Sequence, residues 1–406
     1  MLFELAWRNL WRRPQRTVLS LASIVIVTGL LIFMLSFQIG VYDTMKEATL
    51  RIFDGFAELQ PQGWAADPGL DRSLVQPERL AAEAQGVAGV ATAAPRVNGF
   101  AVLANGARSY GAAVVGVDPA REPKVSSIAA MVRQGRYLAT GDDAAAVLGD
   151  TLARNLGLGV GGQVTVLGAA RDGSVAADVL HVVGIYRSGV PELDRSILEM
   201  PLARAQATFA MEDRATTIAL GGSSLGRVDA ALPSLDRLAR RSGATLEDWG
   251  TLEPALRDGI MLKYATSMLF YLTLVAVVAF IILNTLLMSV LERTREFGVL
   301  LAVGMKPAAI GRMVWIELLS LALVGSAIGL AIGGGATLWF AVHGVTYPGL
   351  EKLLAQFGLP SRLYPSLTPL SALIGPGAIT LVIALGGIVP YLRVARLTPA
   401  SAMRAP

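Results

Sequence analysis

The stretch Glu292-Arg293-Thr294-Arg295-Glu296-Phe297-Gly298-Val299-Leu300-Leu301-Ala302-Val303-Gly304-Met305-Lys306 puts four charges into its first five residues, between two long apolar runs. The run before it, Tyr264 to Leu291, has no charge, and the run after it, Met313 to Val342, has only Glu317. Working outward, Val18 to Tyr42 and Leu370 to Leu392 are two more uncharged runs. Each exceeds the ~20 residues that a helix needs to cross ~30 Å of hydrocarbon. The pattern predicts an α-helical membrane protein with four transmembrane helices, at 18–42, 263–291, 313–342 and 370–392. The composition agrees: 53% of the 406 residues are hydrophobic and 16% are charged, against about 25% charged in soluble domains.

The first run is too long for the 7–15-residue core of a signal peptide, and no small-x-small site closes it, so it reads as a retained anchor. Lys and Arg beside the spans set the orientation. Residues 1–17 hold Arg8, Arg12, Arg13 and Arg16, and 292–312 hold Arg293, Arg295, Lys306 and Arg312. The tail 393–406 holds Arg393, Arg396 and Arg404, whereas 343–369 hold only Lys352 and Arg362. Both termini and the 292–312 connection are therefore expected in the cytoplasm. The long segment 43–262 and the loop 343–369 are expected on the other side.

Segment 43–262 has the composition of ordinary soluble protein, with 21 Lys and Arg against 26 Asp and Glu. Short β-branched runs (Phe100–Leu103, Ala112–Val117, Val164–Leu167, Val179–Tyr186, Thr216–Leu220) alternate with helical patterns (Pro77–Ala84, Asp150–Leu156, Pro201–Thr208, Gly226–Arg241). Asn105-Gly106, Asp118-Pro119 and Asp172-Gly173 mark turns. A mixed α+β extracytoplasmic domain in two lobes is expected between the first and second spans. Its flanks, Tyr42–Phe53 and Leu252–Lys263, continue the adjoining spans without a helix breaker and read as a stalk.

The chemistry is mostly a set of exclusions. Without cysteine there are no disulfides, thiolate metal sites or thiol catalysis. Two histidines, His181 and His343, make a multi-histidine metal site unexpected. No Gly-rich loop ends in Gly-Lys-Ser/Thr, so the chain is expected to bind no ATP of its own. Gly222-Ser223-Ser224-Leu225-Gly226 matches a nucleophile elbow, but the one downstream histidine, His343, is in another loop; a strand-to-helix turn is expected. Glu192 and Asp194 read as a solvated loop, with cation binding or acid–base work as the sharper alternative. Nucleic acid is not an expected partner, because the basic residues gather at the membrane.

Within the spans, Gly325, Gly329 and Gly333 recur every four residues and present a smooth face for helix packing. Asn284 and Glu317 are the notable polar groups there, Glu317 within about a turn of Arg312. Phe33, Met34 and Phe37 form an apolar stripe near the outer end of the first span. They read as packing or, alternatively, as an entry surface for an apolar substrate. The 292–306 connection itself reads as a docking element: a short charged helix bearing Glu292, Arg293, Arg295 and Glu296, then an apolar patch and a glycine break at Gly304, tethered to spans at both ends.

The same stretch carries a resemblance. Glu292-Arg-Thr-Arg-Glu-Phe-Gly-Val-Leu-Leu-Ala-Val-Gly304 is similar to the signature E-R-x-x-E-[IF]-G-[VIL]-[LM]-[RK]-A-[ILV]-G of the FtsX-like permease family, the MacB, LolC/LolE and FtsX group of ABC transporter membrane subunits. Leu301 stands where that family usually has a basic residue. Ala6-Trp-Arg-Asn-Leu-Trp-Arg-Arg-Pro14 resembles the family's surface helix, which implies a cytoplasmic amphipathic helix on the membrane surface over residues 1–17. Val115-Gly-Val-Asp-Pro119, Gly135-Arg-Tyr137, Val147-Leu-Gly-Asp-Thr-Leu-Ala153 and Val183-Gly-Ile-Tyr-Arg-Ser-Gly189 resemble the MacB-type extracytoplasmic domain. Pro390-Tyr-Leu-Arg-Val-Ala-Arg-Leu-Thr-Pro399 resembles its cytoplasmic ending.

The resemblance implies a permease subunit without its own ATPase site, in a bacterial inner membrane. Two copies of a separate cytoplasmic ABC ATPase would bind ATP and Mg. A second permease subunit, the same chain or a paralogue, would complete the complex, and a periplasmic carrier or adaptor would serve it. Glu292, Arg293, Arg295, Glu296, Phe297, Gly298 and Gly304 would form the coupling helix that sits in a groove of the ATPase. Three cargo readings follow: lipoprotein release as in LolC/LolE, peptide or drug efflux as in MacB, and cargo-free signalling as in FtsX. The 220-residue domain disfavours the FtsX reading. Only 17 residues precede the first span, so the ATPase is expected on a separate chain. Ser188-Gly-Val-Pro-Glu-Leu-Asp194 resembles a LolC/LolE stretch and tilts the choice to lipoprotein or lipid handling. Membrane lipids would then be partners, and Phe33, Phe37 and Met268 would line the entry for acyl chains. A membrane-anchored sensory or binding protein without an ATPase is the reading from another class; it leaves the last three spans and their charged connection unexplained.

Overall fold

The computed structural model describes residues 14–346, 348–349 and 361–395. The surface helix expected over 1–17 lies mostly outside the described residues, as do the tail beyond 395 and most of 347–360. Four helices among the described residues are long and apolar enough to cross a membrane. They belong to Pro14–Leu50, Pro254–Glu292, Pro307–His343 and the pair Pro369–Gly386 and Ile388–Ala395. The chain divides into two compact units, one holding these spans and one formed mainly by Asp43–Asp258.

In the membrane unit, the third span approaches the first through its small residues. A Cβ placed on Gly325 would lie 2.6 Å from Ile24 Cγ2, and one on Gly329 would lie 2.6 Å from Thr28 Cβ. One on Gly333 would lie 2.5 Å from the Gly29 Cα. Where two backbones pass this closely, dispersion and short polar contacts take over from the hydrophobic effect, which is weak between helices in lipid. Ile24, Leu31, Val275, Ile282, Leu321 and Ile379 fill the space among all four spans. The fourth span starts at a reciprocal capping box between Thr368 and Ser371. It covers the span expected over 370–392, with a local break in the helix at Gly387. Pro390 explains the break: it has no N–H, and its ring would meet the carbonyl of Gly386 in a continuous helix.

In the inserted unit the strands are, in chain order, β1 Ala57–Pro61, β2 Leu74–Val75, β3 Thr92–Asn105, β4 Arg108–Val117, β5 Val132–Gly135, β6 Ala145–Gly149, β7 Gln163–Ala169, β8 Val175–Tyr186, β9 Ile197–Pro201, β10 Arg214–Ala215, β11 Thr217–Gly221 and β12 Ala244–Asp248. Ten of these form one mixed sheet in the order β12-β1-β11-β3-β4-β9-β6-β8-β5, with β7 joining β3 to β8. The pairings β3-β4-β9-β6-β8-β7 therefore close on themselves. Leu103, Val114, Leu148, Val166, Leu180 and Leu198 belong to the core of this lobe, as alternate residues must when a sheet closes. Strand β5 adds to the outer side of β8, and β11-β1-β12 form a second lobe covered by helices Pro77–Gln85 and Leu225–Arg241. The latter buries Leu225, Val228, Ala231, Leu235 and Ala239, one face of a helical period. The expected strand Phe100–Leu103 is the middle of a 14-residue strand. It is longer than its β-branched run because Ala93, Ala94 and Pro95 also pair with β11.

This unit also buries a cluster of charged side chains. Arg96 is 1% exposed, and its Nη2 donates to Glu122 Oε1 at 2.5 Å and to the Phe53 carbonyl at 2.6 Å. Glu58 lies 3.6 Å from the same guanidinium. Glu199, fully buried, accepts from the Tyr137 hydroxyl at 2.7 Å, and its other oxygen has no hydrogen-bond partner. One buried cation thus faces more than one carboxylate, and proton uptake offsets the excess. Burial, followed by the charge of Glu122, pushes Glu199 up to about 8, and burial with Glu58 and Glu253 pushes Asp54 up to about 7.

Two outcomes are expected. Gly329→Ala or Gly333→Ala should destabilise the detergent-solubilised protein by about 1–3 kcal/mol. Gly335→Ala, where an added Cβ meets nothing within 4 Å, should leave the unfolding temperature unchanged. The acid cluster predicts a pH slope. Glu199 in the folded chain keeps a proton that the unfolded chain releases near its ordinary 4.5. Its contribution to stability therefore falls as pH rises from about 4.5 to about 8. Glu199→Gln should flatten that slope in thermal melts and stabilise the protein above pH 8 relative to wild type; an unchanged slope would refute the assignment.

Candidate functional site

The second span ends at Glu292, and the backbone turns at Arg293 before the helix Thr294–Ala302. Gly304, at φ +96°, ends this helix in a conformation that suits glycine, with its N–H on the Leu301 carbonyl and that of Met305 on Leu300. Pro307 then opens the third span. The short helix is fastened on one side. Phe297, fully buried, and Leu301 pack among Val290, Ile310, Met313, Val314 and Val394. Arg293 Nη1 reaches Glu317 Oε2 at 3.2 Å, and its Nε reaches Glu296 at 3.4 Å. Its guanidinium also lies 5.4 Å from the centre of the Phe297 ring.

The expected coupling residues therefore divide. Arg293, Phe297 and Gly298 turn toward their own chain and hold the helix; Gly304 makes its terminal turn. Glu292, Arg295 and Glu296 are exposed. Beside them stand Val299 and Val303, 55% and 82% exposed, which the sequence reading did not single out. Their signal was an apolar pair four residues apart, off the Phe297–Leu301 stripe. Glu317, within about a turn of Arg312 along the chain, bonds Arg293 instead, while Arg312 donates to the Ala308 carbonyl. Arg312 and Glu317 are five apart on one helix and face different directions, whereas the turn at Arg293 brings its side chain across. Asn284 is exposed on the second span.

Of the three entry residues, two are brought together. Phe33 stacks on Phe37 at 6.0 Å and meets Phe340 of the third span edge-on at 5.4 Å. Met268, on the second span, is 64% exposed. Next to it, Gln38 joins the first two spans. Its Nε2 donates to Ser267 Oγ at 2.7 Å and to the Tyr42 hydroxyl at 2.9 Å, while Tyr271 donates to its Oε1 at 2.8 Å. An apolar wall and a polar clasp thus occupy different faces of the first span.

The remaining candidates are structural. Gly222–Gly226 is the turn between β11 and helix Leu225–Arg241, where the Leu225 N–H donates to Glu47 Oε1 at 2.7 Å. His343 stacks on Trp339 at 4.3 Å. Asp194 is 6% exposed and accepts from the Ser188 N–H and hydroxyl at 2.7 and 2.8 Å, so it ties a loop. The solvated loop expected at Glu192 and Asp194 is instead the short helix Pro191–Ser196, and of the two carboxylates only Glu192 is exposed. No group of acidic or histidine side chains among the described residues is arranged to hold a metal ion.

Residues 17–237 match the MacB-like periplasmic core domain, and residues 268–399 match the FtsX-like permease C-terminal domain. The lipoprotein-releasing system transmembrane protein LolC of Neisseria meningitidis is 25% identical over 329 residues, covering 78% of each chain. The macrolide export ATP-binding/permease protein MacB of Photorhabdus laumondii is 31% identical over 146 residues, covering 35% of this chain and 20% of that one. The periplasmic region of MacB from Actinobacillus actinomycetemcomitans superposes with a TM-score of 0.38 at 13% identity, covering 50% of this chain and 92% of that one. With four apolar spans and a large α/β domain between the first two, the chain belongs to the inner-membrane family of ABC transporter permeases that join a MacB-like periplasmic core domain to an FtsX-like permease domain.

Proposed function

We propose that the chain relays the motion of a separate cytoplasmic ATPase to its periplasmic domain, and that this work extracts a lipid-anchored protein or another lipid-like substrate from the inner membrane. Both termini and the helix Thr294–Ala302 face the cytoplasm in this reading, in line with the basic residues beside the spans. Two ATPase copies bind ATP and Mg, and a second permease subunit completes the complex. A periplasmic carrier receives the cargo.

The observation that carries the proposal is the one-sided fastening of the short helix. Phe297 and the Arg293–Glu317 pair lock it to the spans, so a push on it is a push on the spans. Its other face offers Arg295, Glu296, Val299 and Val303, an apolar centre with charges beside it, as protein interfaces have. The lipid-like cargo rests on the likeness to the lipoprotein-releasing protein and on the apolar wall of Phe33, Phe37 and Phe340. Efflux of peptides or drugs by a split MacB-type pump is the second reading, favoured by the match of residues 17–237.

Two experiments test the relay and the cargo. Val299→Asp with Val303→Asp should leave the thermal melt unchanged, because both side chains are exposed. ATPase co-purification and stimulated ATP hydrolysis should fall by about ten-fold or more; full retention of both would end the coupling role. Arg293→Ala should instead lower stability, since it strands Glu317. A photo-crosslinker at Phe37 should capture lipoprotein during turnover. Capture of none, while an apolar peptide or drug is trapped, would favour efflux.

A further inference from the structure

Helices Pro77–Gln85 and Leu225–Arg241 of the periplasmic unit border a cavity of about 580 Å³, a size usual for small-molecule sites. A hollow of about 400 Å³ adjoins it, and both are lined by Glu83, Leu238 and Arg241. Leu80 and Leu238 supply apolar lining, while Arg79, Arg237 and Arg241 supply positive charge. The only carboxylate among these lining residues, Glu83, is already engaged by Arg79 at 3.0 Å. Arg237 donates to the Pro233 carbonyl and to Ser234 Oγ, at 3.1 and 3.0 Å, and meets no carboxylate among the described residues. The Arg241 side chain has no hydrogen bond or ion pair among the described residues.

This local excess of cation runs against the domain as a whole, where Asp and Glu outnumber Lys and Arg by 26 to 21. It is also unfavourable by itself. Arg237 and Arg241 are four apart on one helix, so their like charges face each other along it. An anion between them and Arg79 would reverse that penalty. Guanidinium forks match the planar geometry of carboxylates and phosphates, and the leucines would cover an attached apolar group.

We propose that this cleft is a binding site for a small anion borne on an apolar body, a carboxylate or a phosphate monoester. Arg241 and Arg237 grip the anion, and Leu80 and Leu238 cover the apolar part. The site is independent of the relay and of the cargo, so its test needs no ATPase.

The test uses the full chain in phosphatidylcholine nanodiscs, titrated by ligand-observed NMR with phenyl phosphate, phenylacetate, inorganic phosphate and benzyl alcohol. Phenyl phosphate or phenylacetate should bind saturably, and the tighter of the two names the anion. Arg241→Glu should weaken that probe about ten-fold or more. Arg195→Glu, an equal charge change at an exposed arginine elsewhere in the domain, should not. Unchanged thermal melts of both variants would exclude misfolding. The site is refuted if neither aromatic anion saturates, or if Arg195→Glu weakens binding as much as Arg241→Glu does. It is also refuted if inorganic phosphate or benzyl alcohol binds as tightly as the aromatic anions.

Discussion

Arg293 and Glu317 sit 3.2 Å apart at the end of the apolar spans because a charge withdrawn from water is tolerable only beside its opposite. That requirement organises much of the rest of the protein. It turns the chain at Arg293 and seats the short helix Thr294–Ala302 with Phe297 inward. Elsewhere in the spans the same rule acts on neutral groups. Ser36 bonds Ser371 at 2.9 Å, and the Trp315 indole donates to the Ala384 carbonyl at 2.9 Å. Each of these contacts ties two spans together where lipid offers no competing partner.

The periplasmic unit meets the rule differently. Its closed run of strands leaves little unpaired backbone, so the unusual demand falls on side chains. Arg96 is surrounded by Glu58, Glu122 and the Phe53 carbonyl, while Glu199 has only Tyr137. Proton binding there supplies what ion pairing does not. Each lobe keeps its own hydrophobic core, and the effect of pH is expected at this one buried cluster.

The candidate site was partly legible. The charged run at Glu292–Glu296, the glycine at 304 and the tethering spans were visible in order along the chain, and the signature over them pointed to the permease family. What could not be read was which side of the helix faces outward. Phe297 looks as available as Val303 in sequence, yet one is fully buried and the other is 82% exposed. The difference comes from Ile310, Met313 and Val394, which lie after the helix in the chain. The partner of Glu317 was not legible for a related reason. Arg312 is nearer along the chain, but direction on the helix, and not separation, decides contact.

The spans, their number and the mixed domain between the first two follow from the sequence itself. Apolar length and hydrophobic period are local properties, and lipid and water act on them segment by segment. The tertiary structure alone decided which groups meet. Ser36 and Ser371 are 335 residues apart, and Arg96 and Glu122 come from different elements of the domain. Such partners are chosen by how whole elements pack, and no local pattern carries that information.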